Sequence, residues 1–328
     1  MNLRRALLLA GIASSGWAQL TEPERLIEAG HWKRARAIVE VRIREAPDDP
    51  LANFLLSQIR NAFGDRNSPL ALAEKASALD PKTAKYHRQI AECLGVMAQH
   101  SGAFRQLLLA RRFRREIDTA LALDPRDTQA LRDLTEFYLL APGLLGGDLQ
   151  KAGEVANRIG KIDATEGFLA QARIAEVSKQ PGEVEAWLRR AVEAGPSNYR
   201  TRMVLAEFYL APAHANPAAA AAQAKAAIEL DPGRSAAYSV LAQIHAASGD
   251  WGALAEVLAA AQRQVPDDPS PYYRAAERLA LSGGDVTRAA RYLRVYLAQD
   301  PEGNGPTTAE AHALQRRWMV GQVSGSAK

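Results

Sequence analysis

The chain has 328 residues, of which 47% are hydrophobic, 6% aromatic and 24% charged, and its charges nearly cancel to a formal net of +4. That hydrophobic share is enough to bury a continuous core, while so mild a charge gives no broad basic field of the kind that holds nucleic acid. The single cysteine, Cys93, excludes an internal disulfide, and its neighbours Ile90, Ala91 and Leu94 mark it as a small buried hydrophobe.

Residues 1–18 are expected to be a secretory signal. Arg4 and Arg5 precede the apolar run Ala6 to Ala13, and the small residues Gly16 and Ala18 stand just before Gln19. The run is well short of the roughly 20 apolar residues that cross a bilayer, so no membrane span is expected. No cysteine follows that would carry a lipid anchor, and the expected location is the periplasm or the exterior. Without Arg4 and Arg5 the chain keeps 39 basic against 37 acidic residues.

From residue 19 to 306 the sequence keeps time. Pro47, Pro81, Pro125, Pro196, Pro232, Pro266 and Pro301 recur at spacings near 34 residues or its double, with Ala164 holding the missing place. Five residues before them stand Ala76, Ala120, Ala191, Ala227 and Ala261, and seventeen before them the turn glycines Gly30, Gly64, Gly147, Gly249 and Gly284. Each unit therefore reads as two antiparallel helices joined by a tight turn and ended by proline, which lacks an N–H and clashes with the preceding turn. About eight such units are expected, with a fold that is all-α.

Three units depart from the pattern. The third is about ten residues longer than the roughly 34-residue period, Gln99 to Arg111 standing where a compact turn is expected, so its helices should be extended. Its arginines Arg105, Arg111, Arg112, Arg114 and Arg115 fall on more than one face and read as a solvated surface. The fourth and sixth units contain nearly the same helix, Leu134 to Leu139 and Leu205 to Leu210, each running into an Ala-Pro and a long loop: Ala141 to Gly146 and Ala211 to Pro217. These loops are expected either to form lips over a groove, with Leu144 and Leu145 as apolar contacts, or to pack against the next unit. The seventh unit, Ser235 to Pro266, is the most regular. A last helix from Thr307 to Val320, with Ala311, Leu314 and Trp318 on one face, should cap the open end, leaving Gly321 to Lys328 as a small polar tail. The expected division is 1–18 signal, 19–306 repeats and 307–328 cap and tail.

In the seventh unit Tyr238, Leu241, Ala242, the turn Gly249-Asp250-Trp251, Leu254, Leu258, Ala261 and Pro266 follow the order aromatic, Leu, small, Gly-turn, Ala, Pro. These residues resemble the tetratricopeptide repeat family, and the resemblance covers nearly the whole chain after residue 18. It implies a right-handed superhelical solenoid, in which small residues such as Ala206, Ala242 and Ala276 let helix axes approach closely. It also implies a concave groove lined by the first helix of each unit. The positions that match are Phe54, Gln58, Arg88, Glu92, Arg132, Glu136, Leu169, Arg173, Met203, Glu207, Ser239 and Gln243. Their Arg and Glu content suggests a groove able to fork to a carboxylate or accept from an amide. Arg88 with Glu92 and Arg132 with Glu136 stand four apart and equally suit pairs within one helix. The lysines and asparagines that clamp a peptide's terminal carboxylate in some members are missing at these positions.

Catalytic chemistry finds no residues to rest on. His31, His87, His100, His214, His245 and His312 are scattered, without the short spacing of a zinc site. Gly143 to Gly147 is not followed by the Lys-Ser or Lys-Thr of a phosphate loop. The expectation is a non-enzymatic exported scaffold, without cofactor or metal, that holds a peptide or protein partner in its groove. The alternative is a small-ligand binder accessory to solute uptake, in which the long third unit and the two loops close a pocket with Phe54, Tyr86, Leu169 and Met203 as apolar walls.

Overall fold

A computed structural model describes residues 20–325; the expected signal and the last three residues lie outside the described residues, as do the side chains from Trp318 onward. Among the described residues the ordered elements are seventeen α-helices and two short 3-10 turns. They pair in chain order into eight units: α1 (Glu22–Ala29) with α2 (Trp32–Glu45), α3 (Pro50–Ala62) with α4 (Pro69–Leu79), α5 (Ala84–Gln99) with α6 (Ala103–Leu123), and α7 (Thr128–Leu140) with α8 (Leu149–Ile162). The second half repeats the scheme with α9 (Ala164–Val177) and α10 (Pro181–Ala194), α11 (Tyr199–Leu210) and α12 (Pro217–Leu230), α13 (Ser235–Ser248) and α14 (Trp251–Gln264), and α15 (Ser270–Leu281) and α16 (Val286–Leu297), closed by α17 (Thr308–Gly325). The protein is an all-α helical-repeat solenoid.

Local chemistry explains why helices start where they do. Asp49, Asp127, Asp148, Asp163, Asn198, Asn216, Asp250 and Asp285 each place a side-chain oxygen on the free N–H groups of the helix that follows. Thr21 with Glu24 and Thr307 with Glu310 do the same for the first and last helices, donating and accepting reciprocally. In the third unit the extra residues are helix rather than loop, since only His100 to Gly102 separate α5 from the long α6. At the end, α17 runs through Gly325, five residues beyond the expected boundary and into the segment read as tail. Its Ala311 is fully buried against the core of α13 to α16, and Leu314 packs beside it, as a cap requires.

The core is a chain of apolar clusters strung between neighbouring units. The landmark alanines Ala76, Ala120, Ala191 and Ala227 are completely inaccessible, as are Ala206, Ala242 and Ala276 in the first helices. A methyl is the largest group that fits at these crossings. The tightest lies between α8 and α9, where the two helices share Asp163 as last and first cap. There a side chain on Gly167 would come 2.3 Å from the Cα of Gly160, so Gly167 needs hydrogen. Cys93 is buried among Ile90, Leu94 and Ala73, and burial raises its thiol pKa.

The ends of the array touch. The turn between α1 and α2 lies against the inter-unit loops of the last three units. Arg34 forks onto Asp267 through bonds of 2.6 and 2.7 Å. The Lys33 ammonium donates to the carbonyls of Asp267 and, at 2.9 Å, Asp300. The Lys33 backbone N–H donates to Oε1 of Glu302 at 2.7 Å. Arg234 reaches the carbonyl of Glu28, and the Asn304 N–H bonds to the carbonyl of Ala62 at 2.7 Å. Eight units thus make one closed turn, with Trp32 seated on Gly303.

Candidate functional site

Closing the turn encloses a common interior, lined by the first helices of units four to eight. Three adjoining hollows open onto it. The first, about 790 Å³, lies between α7, α9, α10 and α11; its apolar wall is Leu169, Val184, Leu188, Val204 and Phe208, and the Ala211 to His214 turn forms one side. The second, about 870 Å³, runs from Thr128 and Gln129 on α7 across Tyr199 and Met203 to Glu28 of the first unit. The third, about 590 Å³, sits between α11, α13 and the C-terminal loop Glu302 to Pro306. Glu207 borders all three.

Charge in this interior is arranged in ladders that cross from one unit to the next. Arg173 on α9 forks onto Glu136 of α7 through bonds of 2.8 and 3.1 Å, and also holds Glu176 at 2.7 Å. Arg132 on α7 and Arg200 on α11 converge on Glu166 of α9, at 3.5 and 2.5 Å. Burial lowers the Arg132 pKa, with the Arg200 charge adding to the effect, and the guanidinium stays charged. Of the two intrahelical pairs that spacing allows, Arg88 and Glu92 meet at 3.9 Å, whereas Arg132 and Glu136 each face a neighbouring unit instead.

Two carboxylates stand outside the ladders. Asp133 lines the first hollow with its Oδ2 buried and without a hydrogen-bond partner. Burial pushes its pKa up to about 7, and the charges of Arg88 and Arg132 only partly oppose this. Glu207 is exposed towards the interior, yet desolvation by the surrounding helices raises its pKa, with the charge of Arg274 acting the other way. Arg274 itself is held by Glu277 at 2.8 Å.

The two long turns have one construction. The amide of Asp148 donates to the carbonyl of Tyr138 at 2.9 Å, and the amide of Asn216 donates to the carbonyl of Tyr209 at 2.9 Å, so each loop is tied to its own first helix. In the sixth unit His214 stacks on Phe208 with ring centres 4.3 Å apart, which seats the loop as a wall of the first hollow. In the fourth unit the left-handed residue is Gly146, one place before the landmark Gly147, and Gly147 passes so close to Ala141 that a Cβ would fall 1.7 Å from its carbonyl oxygen. Leu144 is 85% exposed and touches no hollow.

Of the residues singled out in the sequence, Arg132, Glu136, Leu169, Arg173 and Glu207 meet in the first hollow. Met203 borders the second, and Ser239 and Gln243 the third. Phe54 and Tyr86 pack in the core with their rings 5.3 Å apart and border none of the three hollows. Arg88 is buried, Glu92 accepts from Asn61 at 3.2 Å, and neither these nor Gln58 borders a hollow. Asp133, Val184, Leu188, Phe208 and His214 were not anticipated. Val184 and Leu188 come from a second helix, and Asp133 stands one place beyond Arg132, off the first-helix register used to pick groove positions.

His87 is part of the frame, bonding Glu116 at 2.9 Å and Ser77 at 3.2 Å. Among the described residues no three His, Cys, Asp or Glu side chains lie together as a metal site, and no helix is long and apolar enough to cross a membrane. No protein-family model and no curated protein matches this sequence. Solved structures do. A thermophilic TPR protein of Thermus thermophilus aligns over 58% of this chain and 96% of its own, with a TM-score of 0.51 at 19% identity. Yeast Tom70 aligns over 98% of this chain and 68% of its own, with a TM-score of 0.56 at 15% identity.

Proposed function

Starting from a chain that has the tetratricopeptide-repeat fold, we propose that this protein is a non-enzymatic, exported scaffold that holds a segment of a protein partner in its interior, in cell-envelope assembly or export. The observation that carries this reading is the hollow of about 790 Å³ between α7, α9, α10 and α11. It joins an apolar wall to a charged rim and opens onto first helices that together form a continuous inner face. Apolar contact there supplies affinity, and the polar rim sets register. Closure of the ends favours a short or looped segment over a long strand threaded along the groove. The leader-like residues 1–18 support export.

A variant that fills the hollow tests the binding part. Val204→Trp is expected to melt like the parent and to lose a partner that the parent retains by crosslinking in envelope extract. A partner retained equally by both places the contact elsewhere and overturns the reading. For export, a C-terminally tagged chain in a Gram-negative host is expected in the periplasmic fraction, cut before Gln19. A cytosolic chain with an intact N-terminus contradicts it. The same hollow lies within the range of about 300–1,000 Å³ typical of small-molecule sites, which favours a ligand binder as the second reading. A thermal-shift screen of metabolites separates the two.

A further inference from the structure

We propose that the hollow between the fourth, fifth and sixth units recognises a basic side chain of the partner, a lysine or arginine set among apolar residues. This deepens the scaffold reading and rests on it. The argument is one of unmatched groups. Every arginine lining the hollow has a carboxylate: Arg173 forks onto Glu136 and also holds Glu176, and Arg132 and Arg200 each reach Glu166 through one nitrogen. A partner carboxylate would have to displace one of these internal pairs or turn to Lys179, a lining cation that no carboxylate among the described residues holds. The acceptors are in the opposite state. Asp133 and Glu207 both line the hollow, and among the described residues neither has a cation within ion-pair distance or a hydrogen-bond donor on its side chain, the Oδ2 of Asp133 being buried as well.

A buried acceptor without a donor costs free energy that a ligand N–H restores, and restores most when the donor is charged. The raised pKa of both carboxyls points the same way: burial raises each, and the charges of Arg88 and Arg132 on Asp133 and of Arg274 on Glu207 oppose it only in part. The walls suit the rest of such a side chain. Leu169, Val204, Leu188 and Phe208 offer apolar surface for a methylene stem, leaving the charged head to the carboxylates. Groups of like sign to the ligand are present on α5, α7, α9, α11 and α15, as Arg88, Arg132, Arg173, Arg200 and Arg274. Each is drawn to a carboxylate, Arg88 only at 3.9 Å to Glu92 and with its Nε buried and unpartnered; Lys179, just beyond α9, also lines the hollow and carries no such pair among the described residues.

The test is selection from a randomised octapeptide library on the immobilised protein, followed by fluorescence anisotropy of one enriched peptide. The expected result is enrichment of Lys or Arg beside apolar residues. Replacing that residue by norleucine should weaken binding about 10-fold or more, the scale of one charge-assisted hydrogen bond. Asp133→Asn and Glu207→Gln should each reduce the preference without melting below the parent by circular dichroism, since removing a buried charge of raised pKa does not cost stability. Enrichment of acidic or uncharged sequences overturns the basic specificity and leaves the scaffold reading intact. A lysine preference unchanged in both variants overturns its assignment to these two carboxylates, and failure to enrich any sequence overturns the scaffold reading together with it.

Discussion

Replacing Glu302 by glutamine should make the protein more stable at pH 8. The carboxylate lies in the closure between the chain ends, 5% exposed, its Oε1 accepting from the amides of Lys33 at 2.7 Å and Gly303 at 3.1 Å while Oε2 has no partner. Burial is the largest influence and pushes the pKa up to about 7, against the ordinary 4.5, despite those two bonds and the charge of Lys33. A folded-state value above the unfolded one means that the folded chain binds more protons between these limits. Stability therefore falls as pH rises through that window and stays reduced above it. At about 1.4 kcal/mol per unit, the ionised carboxylate costs on the order of 3 kcal/mol at pH 8. Glutamine keeps the Oε1 acceptor and, like the protonated acid, leaves one polar group unpartnered, so it should resemble the neutral form. Urea unfolding of parent and Glu302→Gln would check this: the variant leads by about 3 kcal/mol at pH 8, and by under about 1 kcal/mol at pH 5. Asp133, also raised, tilts both proteins alike and cancels in the difference. A variant less stable than the parent at pH 8 would refute the reasoning, because it would mean that the charge itself holds the ends together.

Gly303→Ala should also strain the closure. Its new Cβ would lie 2.7 Å from the Cβ and Cγ of Trp32, atoms close to the backbone that cannot swing aside. Overpacking of this kind costs about 1–3 kcal/mol, read as a lower urea midpoint with faster hydrogen exchange at the Lys33 amide. Ala242→Leu, at a fully inaccessible crossing, should cost as much or more and lower the melting temperature. Arg173→Ala should change thermal stability by less than about 1 kcal/mol, because Arg173 and Glu136 are each more than a third exposed, where ion pairs are screened. Leu144→Ser should leave the melting curve unchanged, since that side chain is 85% exposed.

Units, caps and crossings were legible because the forces that set them act over a few residues. Proline stops, the alanines at Ala76, Ala120, Ala191 and Ala227, and the small residues at Ala206, Ala242 and Ala276 carry their reason in the sequence itself. The site was legible only in part. A register taken from the resemblance reaches Arg132, Glu136, Arg173 and Glu207, but it places Phe54 in a groove when its ring is buried against Tyr86. It also passes over Asp133, one residue out of phase, and Leu188, which a second helix supplies. Arg132 and Arg173, whose spacing suited a ligand or a pair within one helix, turn instead to carboxylates 34 and 37 residues away, in a neighbouring unit. Contact between the ends was not legible at all. It depends on twist accumulated over eight units, and nothing near Lys33 or Arg34 marks Asp267 or Glu302, more than 230 residues on, as a partner.

The central claim is that a partner segment enters the hollow beside Val204. Its most direct test is a photo-reactive benzoylphenylalanine placed at Val204 and, separately, at Phe104, which is 76% exposed and borders no hollow. Irradiation in envelope extract should give a discrete crosslinked species from the Val204 position and none from Phe104. Equal capture at both positions, or capture at Phe104 alone, would contradict the account.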